Sequence, residues 1–221
     1  MGRTKPVEWL IHPASSAGVA MRSDWYIFMG AGIAVALIVY GCIAWCLIAY
    51  RRRTPAQAAR FDGNPRLEVL YTAIPLAMVI ALFGVTYAIE MPIDRVGNPS
   101  DRIAVTAFRW SWRFEYPGGV SVNGTPENPP TLYLPIGRTT EIDLRSADVT
   151  HSFWIPAFLF KRDAIPGMTN KFDLLPTRVG RFPGRCAQFC GLEHANMTFA
   201  VAVVPDDRYR RYLASKGSAV P

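Results

Sequence analysis

The sequence predicts a membrane-anchored all-β protein, a two-helix transmembrane hairpin followed by a Greek-key sandwich or barrel. Three observations predict it. Hydrophobic residues fill 50% of the 221 positions and charged residues only 19%, which is greasy for a soluble domain. The excess sits in two runs, 25–50 and 69–89, each long enough to cross a hydrocarbon core of about 30 Å as a helix. From Met91 onward the texture changes to short segments rich in β-branched and aromatic residues, punctuated by Gly and Pro.

The elements follow in chain order. Residues 1–24 form an N-terminal segment with Arg3, Lys5 and Arg22 as its only basic residues. Residues 25–90 form the hairpin; neither run has a polar stripe, which argues against a pair of soluble core helices. The connector holds Arg51, Arg52, Arg53, Arg60 and Arg66 against Asp62 and Glu68, so it stays in the cytoplasm. The N-terminus and everything after Ile89 then lie on the outer side. The first apolar run starts too late and is too long for a cleavable signal peptide, so the hairpin is its own export signal. Cys42 and Cys46, i,i+4 in the first run with no His or acid nearby, read as small packing residues.

Residues 91–221 form the outer domain. Eight strands are expected there: 102–109, 111–116, 131–134, 139–145, 151–155, 172–175, 181–185 and 198–203. The stretch 117–130 carries Gly118, Gly119, Gly124, Pro126, Pro129 and Pro130, too many breakers for regular structure. Asp206 is placed to cap a short helix through Ala214.

One stretch carries the chemistry. Between Cys186 and Met197 lie two thiols, Cys186 and Cys190, an imidazole, His194, and a thioether, Met197, with a second imidazole at His151. Soft sulfur with imidazole selects copper, zinc or iron-sulfur, and the thioether turns the choice to copper. A mononuclear blue-copper loop has one Cys, whereas two allow two bridging thiolates and hence two coppers. A Cys186–Cys190 disulfide in an exported domain is the plain alternative.

This loop, with Asp148-Val-Thr-His151-Ser152 upstream, resembles the dinuclear CuA centre of cytochrome c oxidase subunit II. The resemblance implies a cupredoxin fold for the outer domain, with His151, Cys186, Cys190, His194, Met197 and the backbone carbonyl of Gln188 as copper ligands. The family has Glu at position 188, where its side chain ligates magnesium. A glutamine amide binds that ion more weakly, so magnesium is allowed rather than expected. The segment from Val105 to Tyr116 is similar to the family's aromatic segment, which implies that Trp110 receives the electron from a c-type cytochrome. On residue pattern alone, Trp110 and Trp112 share one strand face and could equally fill the core. Phe160 to Gly167 is similar to a segment that ends in Arg in the family; Met168 stands there instead. Leu67 to Pro75 is similar to the cytoplasmic start of the family's second helix, which implies that Glu68 sits at the mouth of a proton pathway. As an acid near a helix N-terminus, it is also explained by the dipole alone.

The resemblance thus implies an oxidoreductase subunit in a bacterial plasma membrane, multi-pass, with the copper domain outside. Its partners would be a catalytic haem-copper subunit, where haem resides and oxygen is reduced with proton translocation, other oxidase subunits and a c-type cytochrome. The copper subunit of a nitric oxide reductase stays open as an alternative, because the gas chemistry resides in the partner. A copper-free quinol oxidase subunit fits less well, since the ligands are retained. No Cys-x-x-Cys-His, phosphate loop or hydrolytic triad is present.

A net charge of +7 could suggest nucleic acid, but the hairpin's arginines explain part of it. From Met91 on there are 16 Lys or Arg and 12 Asp or Glu, so the outer domain carries 16 minus 12, or +4. That balance favours an acidic, neutral or complex-bound cytochrome, unless Glu115, Glu127, Asp148 and Glu193 gather into a local acidic face.

Overall fold

The structure, a computed structural model, describes residues 11–51, 63–94, 97 and 99–217. Arg3, Lys5, Arg52, Arg53, Arg60 and Asp62, on which part of the orientation argument rests, lie outside the described residues. The chain divides into two compact units, one of Ser23–Ile89 and one of Met1–Arg22 with Glu90–Pro221.

The helical unit consists of most of α1 (Ser16–Ala49) and α2 (Pro65–Asp94). Their most apolar windows have mean hydropathies of 2.4 and 2.1 with none of the window buried, so the apolar side chains face outward all round. Such surface is stable only in lipid or against other apolar protein. Cys42 and Cys46 are free and exposed on α1. A hydrogen bond joins the helices: the Thr86 hydroxyl donates to Asp24, 3.3 Å away. Pro65 opens α2, and the Asn64 side chain accepts from the backbone N–H groups of Arg66 and Leu67, which caps it.

α1 begins at Ser16, well before the apolar run at Trp25. Ser15 explains the early start, because its hydroxyl accepts from the N–H of Gly18 and caps the helix. Residues 14–16 of the N-terminal segment hydrogen-bond into the outer domain. Ala14 donates to the Ala157 carbonyl at 2.7 Å, Ser16 to Leu175 at 3.0 Å, and Thr177 back to Ala14 at 3.0 Å. Gly18 lies so close to the Phe158 carbonyl that a Cβ would meet its oxygen at 2.6 Å.

The outer domain is a sandwich of two five-stranded sheets. One holds β1 (Asp101–Phe108), β2 (Ser111–Glu115), β3 (Ser121–Asn123), β5 (Thr140–Ser146) and β8 (Asn170–Leu174) in the order β3-β2-β1-β5-β8. The other holds β4 (Thr131–Pro135), β6 (His151–Ile155), β7 (Phe160–Ala164), β9 (Gly180–Cys186) and β10 (Thr198–Val204) in the order β4-β10-β9-β6-β7. Among the described residues, ten strands replace the eight expected. β3 lies inside 117–130, where Val122 pairs with Phe114 despite the flanking breakers. β7 was hidden by its charges: Lys161, Arg162 and Asp163 interrupt alternation, yet the strand pairs with β6 along its whole length. The C-terminal helix α3 (Asp206–Gly217) includes Asp206 rather than being capped by it, and that carboxylate pairs with Arg138 and Arg210.

Aromatic rings fill the space between the sheets. Phe153 and Phe199 stack at 4.7 Å between centroids, and Trp112 meets both edge-on. Gly184 on β9 makes room for them, since a Cβ there would fall 2.2 Å from the Phe199 ring. Gly184→Ala should therefore destabilise the outer domain by about 1–3 kcal/mol through overpacking, read as a lower urea midpoint with an unchanged slope.

Candidate metal centre

β9 and β10 are antiparallel neighbours, with Arg185 opposite Thr198. Their connection, residues 187–197, is closed at its base by a hydrogen bond from the Cys186 N–H to the Met197 carbonyl, 2.9 Å. Cys186 thus ends one strand and Met197 precedes the next. β6 adds His151 at its first position, and the pairing of Phe153 with Cys186 holds β6 against β9. Within the connection a 3-10 turn, His194–Asn196, turns the chain back toward Met197.

These elements bring six donor atoms together. The two sulfurs are 3.9 Å apart, far beyond the roughly 2.05 Å of a disulfide, and both cysteines are free. His151 Nδ1 lies 3.8 Å from the Cys186 sulfur and His194 Nδ1 3.5 Å from the Cys190 sulfur. The Met197 sulfur is 3.7 Å from Cys190, and the Gln188 carbonyl oxygen 3.2 Å from Cys186. Among the described residues, His151, Cys186 and Cys190 form a buried group whose ligand atoms lie within 4.8 Å of one another. Two thiols flanked by one imidazole each, with a thioether and a carbonyl outside them, fit a soft-metal pair and leave no hard-oxygen set for magnesium or calcium at the centre.

The electrostatics follow from burial and local hydrogen bonds. Burial disfavours the thiolate at Cys186, but hydrogen bonds from His151 and the Ser152 backbone outweigh it and bring the group to about 6. At Cys190, burial and the neighbouring Cys186 charge act together and push the thiol up to about 12. A bound cation would hold both as thiolates. Burial would lower His151, but its contacts with Cys186 and Asp148 raise it.

Asp148 is the residue that sequence reasoning did not single out for a role at the centre. Its Oδ1 lies 2.8 Å from His151 Nε2, so the imidazole donates there and keeps Nδ1 directed at the sulfur. Its Oδ2 accepts from the Arg109 backbone N–H at 2.7 Å and from Nε at 3.3 Å. Burial is outweighed by the bonds from His151, Val149 and Arg109, and the carboxyl is held at about 2. Only its position three residues before His151 could have drawn attention to it.

The two tryptophans separate. Trp112 is fully buried in the core. Trp110 falls in the β1–β2 turn, outside the strand alternation, and its indole N–H donates to the Cys190 carbonyl at 3.2 Å. Gly191, with φ of +117°, lets the ring lie against the loop; a Cβ would come 3.1 Å from the indole nitrogen. Gln188 exposes its side chain, and Phe189 packs edge-on against His194 while remaining 77% exposed. Glu68 lies in the first turn of α2, in the helical unit, and is not part of this cluster. Two of the four acids lie at the ligand loop: Asp148 on His151, and Glu193, which precedes the 3-10 turn and accepts from Asn196. Glu115 ends β2 about 13 Å along the strand from the Trp110 turn, Glu127 lies in 117–130, and Asp148 is engaged by Arg109 and His151.

Comparison with known proteins matches residues 127–204 to the family described as "Cytochrome C oxidase subunit II, periplasmic domain". A probable cytochrome c oxidase subunit 2 of Streptomyces avermitilis is 36% identical, over 93% of this chain and 78% of its own length. Cytochrome c oxidase subunit 2 of Mycobacterium tuberculosis is 29% identical, over 88% of this chain and 71% of its own. Among solved structures, the periplasmic domain of subunit II of cytochrome oxidase from Bradyrhizobium japonicum superposes with a TM-score of 0.53 at 27% identity, covering 56% of this chain and 98% of that one.

Asp148→Asn should leave the fold intact but weaken metal binding about 10- to 100-fold, because His151 loses its orienting acceptor. Metal titration of the variant followed by thiolate-to-metal absorption checks this.

Proposed function

The chain belongs to the cytochrome c oxidase subunit II family, and from that membership we propose that it receives electrons from a c-type cytochrome and delivers them to haem in a catalytic partner subunit, where oxygen is reduced. The observation that carries this reading is the pair of sulfurs 3.9 Å apart, each with its own imidazole, beneath an indole bonded to the same loop.

The thiolates of Cys186 and Cys190 and the imidazoles of His151 and His194 would hold a copper pair, with Met197 and the Gln188 carbonyl as weaker donors. Copper bound there supplies one-electron redox chemistry. The protein's part is to hold the ligands still. All six donors sit on strands or on a loop closed by backbone hydrogen bonds, and Asp148 fixes the ring of His151. The surrounding apolar core excludes water from His151, Cys186 and Met197. Trp110 is the residue through which the electron arrives: one hydrogen bond joins its ring to the Cys190 carbonyl.

The same reading places the chain in a bacterial plasma membrane with the copper domain outside. The exposed Gln188 side chain would reach a weak magnesium site at the seam with the catalytic subunit, and Glu68 would stand at the mouth of a proton pathway.

Copper-loaded protein should hold two ions per chain with a seven-line hyperfine pattern; one ion with a four-line pattern would sink the dinuclear reading. Trp110→Phe should keep copper content and spectrum while slowing reduction by cytochrome c by orders of magnitude in stopped flow. Oxygen and nitric oxide consumption by the intact complex distinguishes the two gas chemistries. Because the outer domain is net positive, reduction by a basic cytochrome c should change little, or rise, with added salt. A steep fall would show an acidic docking patch instead.

A further inference from the structure

A cavity of about 280 Å³ lies in the outer unit, away from the ligand loop. Its walls combine two cations, Lys161 and Arg162, one carboxylate, Glu90, and the apolar side chains of Met21, Ile93, Leu159 and Phe160. Nothing in the proposed electron path uses these residues.

Their place in the chain sets the depth of the cavity relative to a bilayer. Met21 lies on α1 one turn before the apolar run that opens at Trp25; Glu90 directly follows the run that closes at Ile89, and Ile93 lies one turn further. A bilayer's polar headgroup layer adds about 5–7 Å beyond each side of the hydrocarbon, and one helical turn spans about 5.4 Å. Met21, Glu90 and Ile93 therefore fall at headgroup depth when the two runs span the membrane.

The lining is also held in place. The Arg162 guanidinium sits over the rings of Phe160 and Phe172, at 5.6 and 6.0 Å from their centroids, which directs it. Leu159 takes a left-handed backbone conformation, φ of +49°, the one non-glycine residue among those described to do so. That conformation caps the 3-10 turn Pro156–Phe158, with the Leu159 N–H donating to the Pro156 carbonyl, and so fixes this wall of the cavity.

We propose that this cavity binds the headgroup of an aminophospholipid. Lys161 and Arg162 take the phosphodiester, a charge-assisted contact that suits both. Glu90 accepts hydrogen bonds from the primary ammonium, and Met21, Ile93, Leu159 and Phe160 cover the glycerol and the first acyl carbons. A choline headgroup offers no N–H to Glu90, and a glycerol headgroup offers no cation, so the carboxylate selects ethanolamine. The inference rests on α1 and α2 spanning a membrane and is independent of the copper site.

Native mass spectrometry of the full chain in detergent, titrated separately with short-chain phosphatidylethanolamine, phosphatidylcholine, phosphatidylglycerol and inorganic phosphate, tests it. One phosphatidylethanolamine per chain should bind about tenfold or more tighter than phosphatidylcholine. Glu90→Gln should abolish that preference. Lys161→Gln should weaken all three lipids by about tenfold. Both side chains are exposed, and copper content should stay at the wild-type value in each variant, which keeps this test separate from the electron-transfer reading. Equal binding of ethanolamine and choline lipids, or undiminished binding by both variants, would overturn the proposal. Inorganic phosphate binding as tightly as the lipid would do so too, by making the cavity a plain anion site.

Discussion

The hydrogen bond from the Cys186 N–H to the Met197 carbonyl is the constraint on which the site depends. It closes the ligand loop at its base and continues the β9–β10 ladder, so two sulfur donors far apart in the loop arrive at a fixed separation. The rest of the loop need only return to its start. The 3-10 turn at His194–Asn196 and the left-handed Gly191 do this, one turning His194 inward and the other letting Trp110 approach. A metal whose ligands are held by sheet hydrogen bonds cannot pull them far in either oxidation state, and that rigidity suits rapid electron transfer.

Asp148 extends the constraint to a second sheet. Through one carboxylate the β1–β2 turn, by way of Arg109, is tied to the imidazole of His151 on β6. Arg109 precedes Trp110, so the indole that bonds to the ligand loop and the imidazole of His151 share an anchor. The aromatic cluster supports the same region from below, where Trp112 lies 6.4 Å from the His151 ring, centroid to centroid. Burial raises the electrostatic stakes. Without a cation the two thiols divide into one readily ionised and one reluctant, a charge problem that two bridging thiolates on a metal pair would resolve.

The outer unit takes in residues from before the helical unit as well as after it. Residues 14–18 lie across the 3-10 turn Pro156–Phe158 and the segment 175–177, with backbone bonds, the Ser15 hydroxyl and the close approach at Gly18 all contributing. The start of α1 is therefore part of the outer unit's fold. Ser15 serves both purposes, capping the helix and donating to the Phe158 carbonyl.

Much was legible in the sequence because it is local. The two apolar runs, the Cys-x-x-x-Cys-x-x-x-His-x-x-Met spacing and most strands depend on residues near one another in the chain, where residue type and period carry the signal. β3 and β7 were not legible, since Val122 and the charged 161–163 stretch become strands only by pairing with β2 and β6. The tryptophans show the same limit. Alternation put Trp110 and Trp112 on one face, but the turn after Phe108 breaks the alternation and sends one to the core and the other to the ligand loop. By itself the sequence determined which atoms could bind a soft metal. Only the tertiary structure decided that His151, 35 residues before Cys186, would meet its sulfur, and that Asp148 would be the group holding it there. Donor identity is written in each residue, whereas donor geometry arises when separate strands come into register.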